Sequence, residues 1–156
     1  MQDVDYLTLD QQVCFALSVA ARNIVSLYRP LLQPLGITHP QYLVMVALWE
    51  KEPLSVKEIS KLLELESASV SPMLKRLQTA GLIERHRDTT DERVLQLTLT
   101  PQGRALKQEA SSIPGAIAER LQMSIPDLEA LRATLTHLSQ VAQERVRRDS
   151  AASFGS

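Results

Sequence analysis

Residues 54–100 read LSVKEISKLLELESASVSPMLKRLQTAGLIERHRDTTDERVLQLTLT, and this stretch decides the fold. Val56, Ile59, Leu62 and Leu63 recur at helical spacing behind Ser55, and Glu58 three residues on completes a capping box, so a first short helix starts near Val56. After Leu65 the serine-rich ESASVSP leads into Val70, Met73, Leu74 and Leu77, the apolar stripe of a second helix. Pro72 lacks an N–H and is tolerated only near a first turn, which keeps the start of this helix close to Ser67; Gly81 closes it as a C′ residue. Leu82 to Arg87 and Arg93 to Leu99 then read as strands, the second alternating Leu95, Leu97 and Leu99 with Gln96, Thr98 and Thr100, and DTTDE between them is a turn. Two helices followed by a charged hairpin make a winged helix-turn-helix.

With the apolar stripe inward, the second helix presents Ser67, Ser69, Ser71, Pro72, Lys75, Arg76 and Thr79 on its other face. Short hydroxyls and cations suit base edges and phosphates, and a helix in the major groove of double-stranded DNA reads bases mainly through its N-terminal residues. Ser69 and Ser71 are therefore the expected base-side residues, Lys75 and Arg76 the expected phosphate contacts. Arg85, Arg87 and Arg93 flank the hairpin, within reach of a phosphate or the minor groove, and Asp91 is placed to pair with Arg93 and hold the turn.

The whole chain carries 17 basic and 18 acidic side chains, a formal net charge of −1, which excludes a globally basic protein. The positive charge is local: Ser67 to Arg87 holds Lys75, Arg76, Arg85 and Arg87 against Glu84 alone, net +3. A basic stripe suffices for counterion release from phosphate, while an acidic remainder limits indiscriminate binding.

The 156 residues, 44% of them hydrophobic, fit one domain over 1–148, with 149–156 a flexible tail. There is no apolar run of membrane-spanning length and no secretory pattern at the N-terminus, so the expected location is the cytoplasm, with no membrane partner. Around the winged module, Leu9 to about Leu32 forms a long helix with Pro30 as a bend or end, and Gln41 to Glu50 a short apolar one. Thr100 and Pro101 open a helix to about Ala110, Ser112-Ile-Pro-Gly interrupts it, and Ser124-Ile-Pro-Asp caps a last helix through Arg147. Leu128, Leu131, Leu135, Leu138 and Val141 lie on one side of that last helix. The fold class is mainly α with a small β-wing, and the terminal segments, about 9–33 and 101–148, carry more apolar surface than a small domain covers. They are expected to pair two copies into a homodimer, which sets two recognition helices on a pseudo-palindromic operator.

Helix, helix, helix-turn-helix, a wing carrying DERVLQLTLTPQG and closing helices together resemble the MarR family of dimeric transcription regulators from about Leu9 to Val146. DQQVCFAL, Tyr28-Arg29-Pro30-Leu31-Leu32, Pro40-Gln41-Tyr42-Leu43 and SPMLKRL are similar to the branch that senses organic hydroperoxides. The resemblance implies a repressor, a sensing thiolate at Cys14 and hydrogen bonding to it from tyrosines, with Tyr28 at one such position. His39 stands where many members have a second pocket tyrosine, and Ser18 replaces a further one four residues after the cysteine.

Cys14 is the sole cysteine, so no intrachain disulfide forms. Its place in the first turns of a helix puts sulfur near the positive end of the helix dipole, which favours the thiolate that attacks a peroxide O–O bond. Cys14 and Tyr28 are separated by about 21 Å along a straight helix at 1.5 Å per residue, so a Tyr28 that serves Cys14 comes from the other subunit. With no resolving cysteine, oxidation stops at sulfenic acid unless a low-molecular-weight thiol, a backbone nitrogen or the partner's Cys14 completes it.

The alternative is release by a small aromatic ligand in the same cleft, with Cys14 as passive lining. An enzyme is not expected, and no cofactor or metal: His39, His86 and His137 show no metal-ligand spacing, and no glycine-rich phosphate loop or Ser/His/Asp arrangement is present.

Overall fold

The computed structural model describes residues 5–153. In chain order the elements are α1 (Val13–Leu32), α2 (His39–Glu50), β1 (Leu54–Ser55), α3 (Val56–Leu62), α4 (Ser67–Thr79), β2 (Ile83–Arg87), β3 (Leu95–Leu99), α5 (Pro101–Ala110), α6 (Ile113–Leu121) and α7 (Ile125–Ser153). Their contacts fall into two compact units, one running to Ile113 and one from Pro114 onward.

In the first unit the winged helix-turn-helix is built largely by local rules. Ser55 accepts from the Glu58 N–H at 3.0 Å while Glu58 accepts from the Ser55 N–H at 2.7 Å, so the capping box sets the start of α3. The turn to α4 passes through Glu64 in the left-handed region, φ 53°. The second helix begins at Ser67 as expected, but Pro72 is its sixth residue rather than part of its first turn. The proline removes one helical hydrogen bond, and the carbonyl it frees, that of Ala68, belongs to an exposed residue. Gly81 follows the C-cap at φ +77°, a conformation that costs glycine little.

The strands differ from expectation in extent and number. Pairing covers Ile83↔Leu99 through Arg87↔Leu95, shorter at both ends than the sequence pattern. A third strand, the two-residue β1, pairs antiparallel with β3, Leu54↔Leu97 and Ser55↔Gln96, giving the order β1-β3-β2. Leu97 and Leu99 point into the core, where they join Val44, Met45 and Leu48 of α2, Ile59 of α3, and Val70, Leu74 and Leu77 of α4. Of the apolar positions assigned to α3, Ile59 is fully buried, whereas Leu62 is 61% exposed.

Gly103 explains why the DERVLQLTLTPQG segment ends in glycine. A Cβ there would fall on the Leu82 carbonyl oxygen, because α5 crosses the base of the wing at that point. The crossing is fastened by Thr100, whose N–H donates to the Leu82 carbonyl and whose hydroxyl donates to the Gly81 carbonyl at 2.6 Å while accepting from the Gly103 N–H. Trp49 at the end of α2 donates its indole N–H to the Gly103 carbonyl at 2.9 Å.

The long first helix starts at Val13, four residues later than its apolar pattern; Leu9–Gln11 is a separate 3-10 turn. Pro30 lies inside the last turn of α1 without ending it. A helix start also moves at α2, which begins at His39 because Thr38 and Gln41 form a capping box.

In the second unit, Ser124 accepts from the Asp127 N–H and donates to its carboxylate, capping α7 as its sequence indicates. The helix does not end at Arg147; it continues to Ser153, so residues 149–153, expected to be loose, are helical. The remaining three residues of that expected tail lie outside the described residues. No residue of α7 is buried, and Ile125, Leu131, Leu135, Leu138, Val141 and Val146 are exposed. Among the described residues no helix is long and apolar enough to cross a membrane.

Candidate nucleic-acid interface and thiol site

α4 turns Val70, Leu74 and Leu77 inward, which leaves Ser67, Ser69, Ser71, Lys75 and Arg76 exposed together on the other face. Their hydroxyls are not equivalent. Ser67 Oγ lies 3.3 Å from Ser60 Oγ of α3, and Thr79 returns its hydroxyl to the Lys75 carbonyl, while the Ser69 and Ser71 hydroxyls hold no partner among the described residues. Those two are the free donors of the helix's N-terminal half. Pro72, Lys75, Arg76 and Thr79 line a surface groove of about 440 Å³.

The three wing arginines are used differently. Arg85 donates from Nη2 to the Ser71 carbonyl at 3.3 Å, so its guanidinium is turned onto the main chain of α4, and its buried Nε finds no partner. Arg87 donates to the Glu92 carbonyl at 2.7 Å and closes the root of the hairpin. The hairpin end is tied by Asp88, whose N–H donates to the Val94 carbonyl, and by Asp91, which accepts from both the N–H and Nε of Arg93. Arg93 keeps its outer guanidinium nitrogens in solvent, its side chain 93% exposed. Sequence reasoning treated the three as alike because only the folded hairpin reveals which cations are occupied.

The residues proposed for redox sensing are brought together only in part. Tyr28 of α1 and His39 at the start of α2 stack with ring centroids 4.6 Å apart, and Tyr42, one turn beyond His39, joins them at 5.9 Å from Tyr28. Tyr42 was not among the expected site residues; the Thr38-x-x-Gln41 capping box, legible in the sequence, was the signal that puts both His39 and Tyr42 on the first turn of one helix. Burial lowers the His39 pKa and raises those of Tyr28 and Tyr42, so the cluster is neutral around pH 7. Beside it lies a cavity of about 520 Å³ with Val25, Leu32, Ile37 and Pro40 among its walls and Arg29 and His39 as polar groups.

Cys14 stands apart from this cluster. It is the second residue of the unbroken α1, exposed, at the end of the helix remote from Tyr28. Ser18 does not turn toward the sulfur: its hydroxyl donates to the Cys14 carbonyl at 2.9 Å. Tyr6, Leu7, Leu9, Val13, Phe15 and Leu17 around the thiol are all exposed apolar side chains.

These features have counterparts in known proteins. Residues 37–95 match the model of the MarR family. The organic hydroperoxide resistance transcriptional regulator of Bacillus subtilis (strain 168) is 40% identical over 141 residues, 90% of this chain and 96% of the relative. Reduced AbfR bound to DNA superposes with a TM-score of 0.78 at 31% identity over 88% of this chain and 94% of that one; AbfR is a Staphylococcus epidermidis protein. Overoxidized AbfR bound to DNA is 38% identical, with a TM-score of 0.66 over 83% of this chain and 94% of that one. This chain belongs to the MarR family, whose members are DNA-binding transcription regulators and not enzymes.

Proposed function

We propose that the protein is a cytoplasmic, dimeric transcriptional repressor that holds a pseudo-palindromic DNA operator until Cys14 is oxidised by an organic hydroperoxide. The observation that carries the redox half is the separation within α1: Cys14 and the Tyr28–His39 pair occupy opposite ends of one continuous helix, about 21 Å apart, and only a second copy of the chain closes that distance. The uncovered apolar side chains around Cys14 and along α7 supply the surface for that second copy. The relative from Bacillus subtilis is named for organic hydroperoxide resistance, and AbfR has been captured on DNA in reduced and overoxidized forms, which supports a thiol-controlled regulator.

The chemistry balances without a cofactor. The Cys14 thiolate attacks the outer oxygen of ROOH, the O–O bond breaks, and the alkoxide takes a proton to leave as ROH, so sulfur is oxidised to sulfenic acid and the hydroperoxide reduced to alcohol. A low-molecular-weight thiol then condenses with the sulfenic acid, releasing water and leaving a mixed disulfide. Tyr28 of one copy would donate a hydrogen bond to the thiolate of the other, with neutral His39 packed against the tyrosine ring. A change at the dimer interface alters the spacing of the two α4 helices, which is the route from thiol to operator.

Anisotropy of a labelled upstream duplex, with and without stoichiometric cumene hydroperoxide, tests the reading: wild type is released by oxidant and Cys14→Ser is not. Binding by both that ignores the oxidant would overturn it. The 520 Å³ cavity supports a second reading, release by a small aromatic acid resting on the apolar walls with its carboxylate on Arg29. That reading expects salicylate to raise the melting temperature and thiol blocking to change nothing.

A further inference from the structure

A second groove, of about 460 Å³, opens between the start of α3, the start of α4 and the wing. Ser55 and Lys57 contribute from α3, Ser67 and Ser71 from α4, and Arg93 and Val94 from the hairpin. Its charged lining is cationic only. The nearest acids are engaged elsewhere: Glu58 is folded back onto the Ser55 N–H, and Asp91 holds the inner edge of Arg93. Lys57 is exposed and has no ion pair among the described residues. The Ser71 hydroxyl is likewise without a partner among the described residues, and Arg93 points free nitrogens outward.

Two cations and a free hydroxyl gathered from three elements form a site for a tetrahedral anion, and its position beside the exposed face of α4 identifies which one. We propose that Lys57 binds a backbone phosphate of the operator in this groove, opposite Arg93, so that α3 and the wing hold the same stretch of DNA backbone that flanks α4. This rests on the DNA-binding reading above and adds a contact outside the recognition helix and the hairpin. Lys57 fixes the register of α4 on the duplex without reading any base, because a lysine ammonium is a point charge that phosphate oxygens satisfy from any sequence. Sequence periodicity alone makes Lys57 an ordinary solvated helix residue; the folded chain sets it against Arg93, thirty-six positions away.

The test is a salt titration of full-length wild type, Lys57→Gln and Lys57→Arg on the upstream duplex and on a scrambled duplex of equal length. Each phosphate neutralised contributes about 0.9 to the slope of log K against log salt. Lys57→Gln is expected to lower that slope by about 0.9 and to weaken binding about eightfold at 0.1 M salt, equally on both duplexes. Lys57→Arg keeps the wild-type slope, which separates lost charge from lost fold. An unchanged slope for Lys57→Gln, or a loss confined to the upstream sequence, overturns the phosphate site while leaving the regulator intact. Wild type that binds neither duplex overturns the DNA-binding reading itself.

Discussion

Arg85 of β2 reaches across to α4 and donates to the main-chain carbonyl of Ser71 at 3.3 Å, so the wing and the recognition helix are joined by a side chain expected to sit on phosphate. The bond fixes the angle between the two DNA-facing elements. Its guanidinium is half-buried, with Nε enclosed and unpartnered, and that is a setting in which removing the charge has structural consequences.

Arg85→Gln is therefore expected to lower stability by about 1–2 kcal/mol, the range of a hydrogen bond from a charged donor, with a melting temperature reduced by a few degrees. The slope of DNA affinity against salt stays at the wild-type value. A slope reduced by about one, with unchanged stability, would make Arg85 a phosphate contact after all.

Arg93 is the opposite case. Its side chain is almost wholly in solvent and fastened only through Asp91. Arg93→Ala should weaken operator binding several-fold while circular dichroism and the melting curve of the protein stay unchanged. Unaltered affinity would remove the wing tip from the interface.

The arrangement of Cys14 and Tyr28 allows a test in trans. Tyr28→Phe homodimers should react with hydroperoxide about tenfold more slowly, the cost of one hydrogen bond to a charged group. A heterodimer of a Cys14→Ser chain with a Tyr28→Phe chain recovers the wild-type rate at its single thiol, because the tyrosine arrives from the other copy. A heterodimer as slow as the Tyr28→Phe homodimer would show that Tyr28 does not serve the partner's thiol.

His39 gives the pH dependence. Burial lowers its pKa below the usual 6.5, so between that value and its folded pKa the unfolded chain binds more protons than the folded one. Stability from this residue is full above pH 6.5 and declines as pH falls through that window. Denaturant unfolding at pH 7.5 and 5.5 should show a larger loss on acidification for wild type than for His39→Gln; equal losses would mean the imidazole is not held neutral by its surroundings.

Gly103→Ala is expected to cost about 1–3 kcal/mol, since the new methyl meets the Leu82 carbonyl and either α5 or the wing base must move. Trp49, the only tryptophan and hydrogen-bonded to the Gly103 carbonyl, reports the displacement by fluorescence. A fully stable variant with an unshifted emission spectrum would contradict the close crossing.

The sequence by itself determined the parts governed by neighbours within a few residues. The Ser55–Glu58 and Ser124–Asp127 caps, the Gly81 helix stop, the inward Leu97 and Leu99, and the start of α4 at Ser67 all follow from local hydrogen bonding and from periods of 3.6 and 2. The same rules placed Cys14 and Tyr28 on one helix and so implied a second copy. Even locally some of the text was missed: the Thr38–Gln41 box that starts α2 was there to be seen. Tertiary structure decided what depends on segments far apart in the chain. Whether Arg85 faces helix or solvent, whether β1 exists, whether Tyr42 joins Tyr28 and His39, and whether Lys57 meets Arg93 across a groove are set by packing between elements. A single cation or a two-residue strand carries no periodic signal of its partner, because the energy that places it comes from contacts formed only once the core has closed.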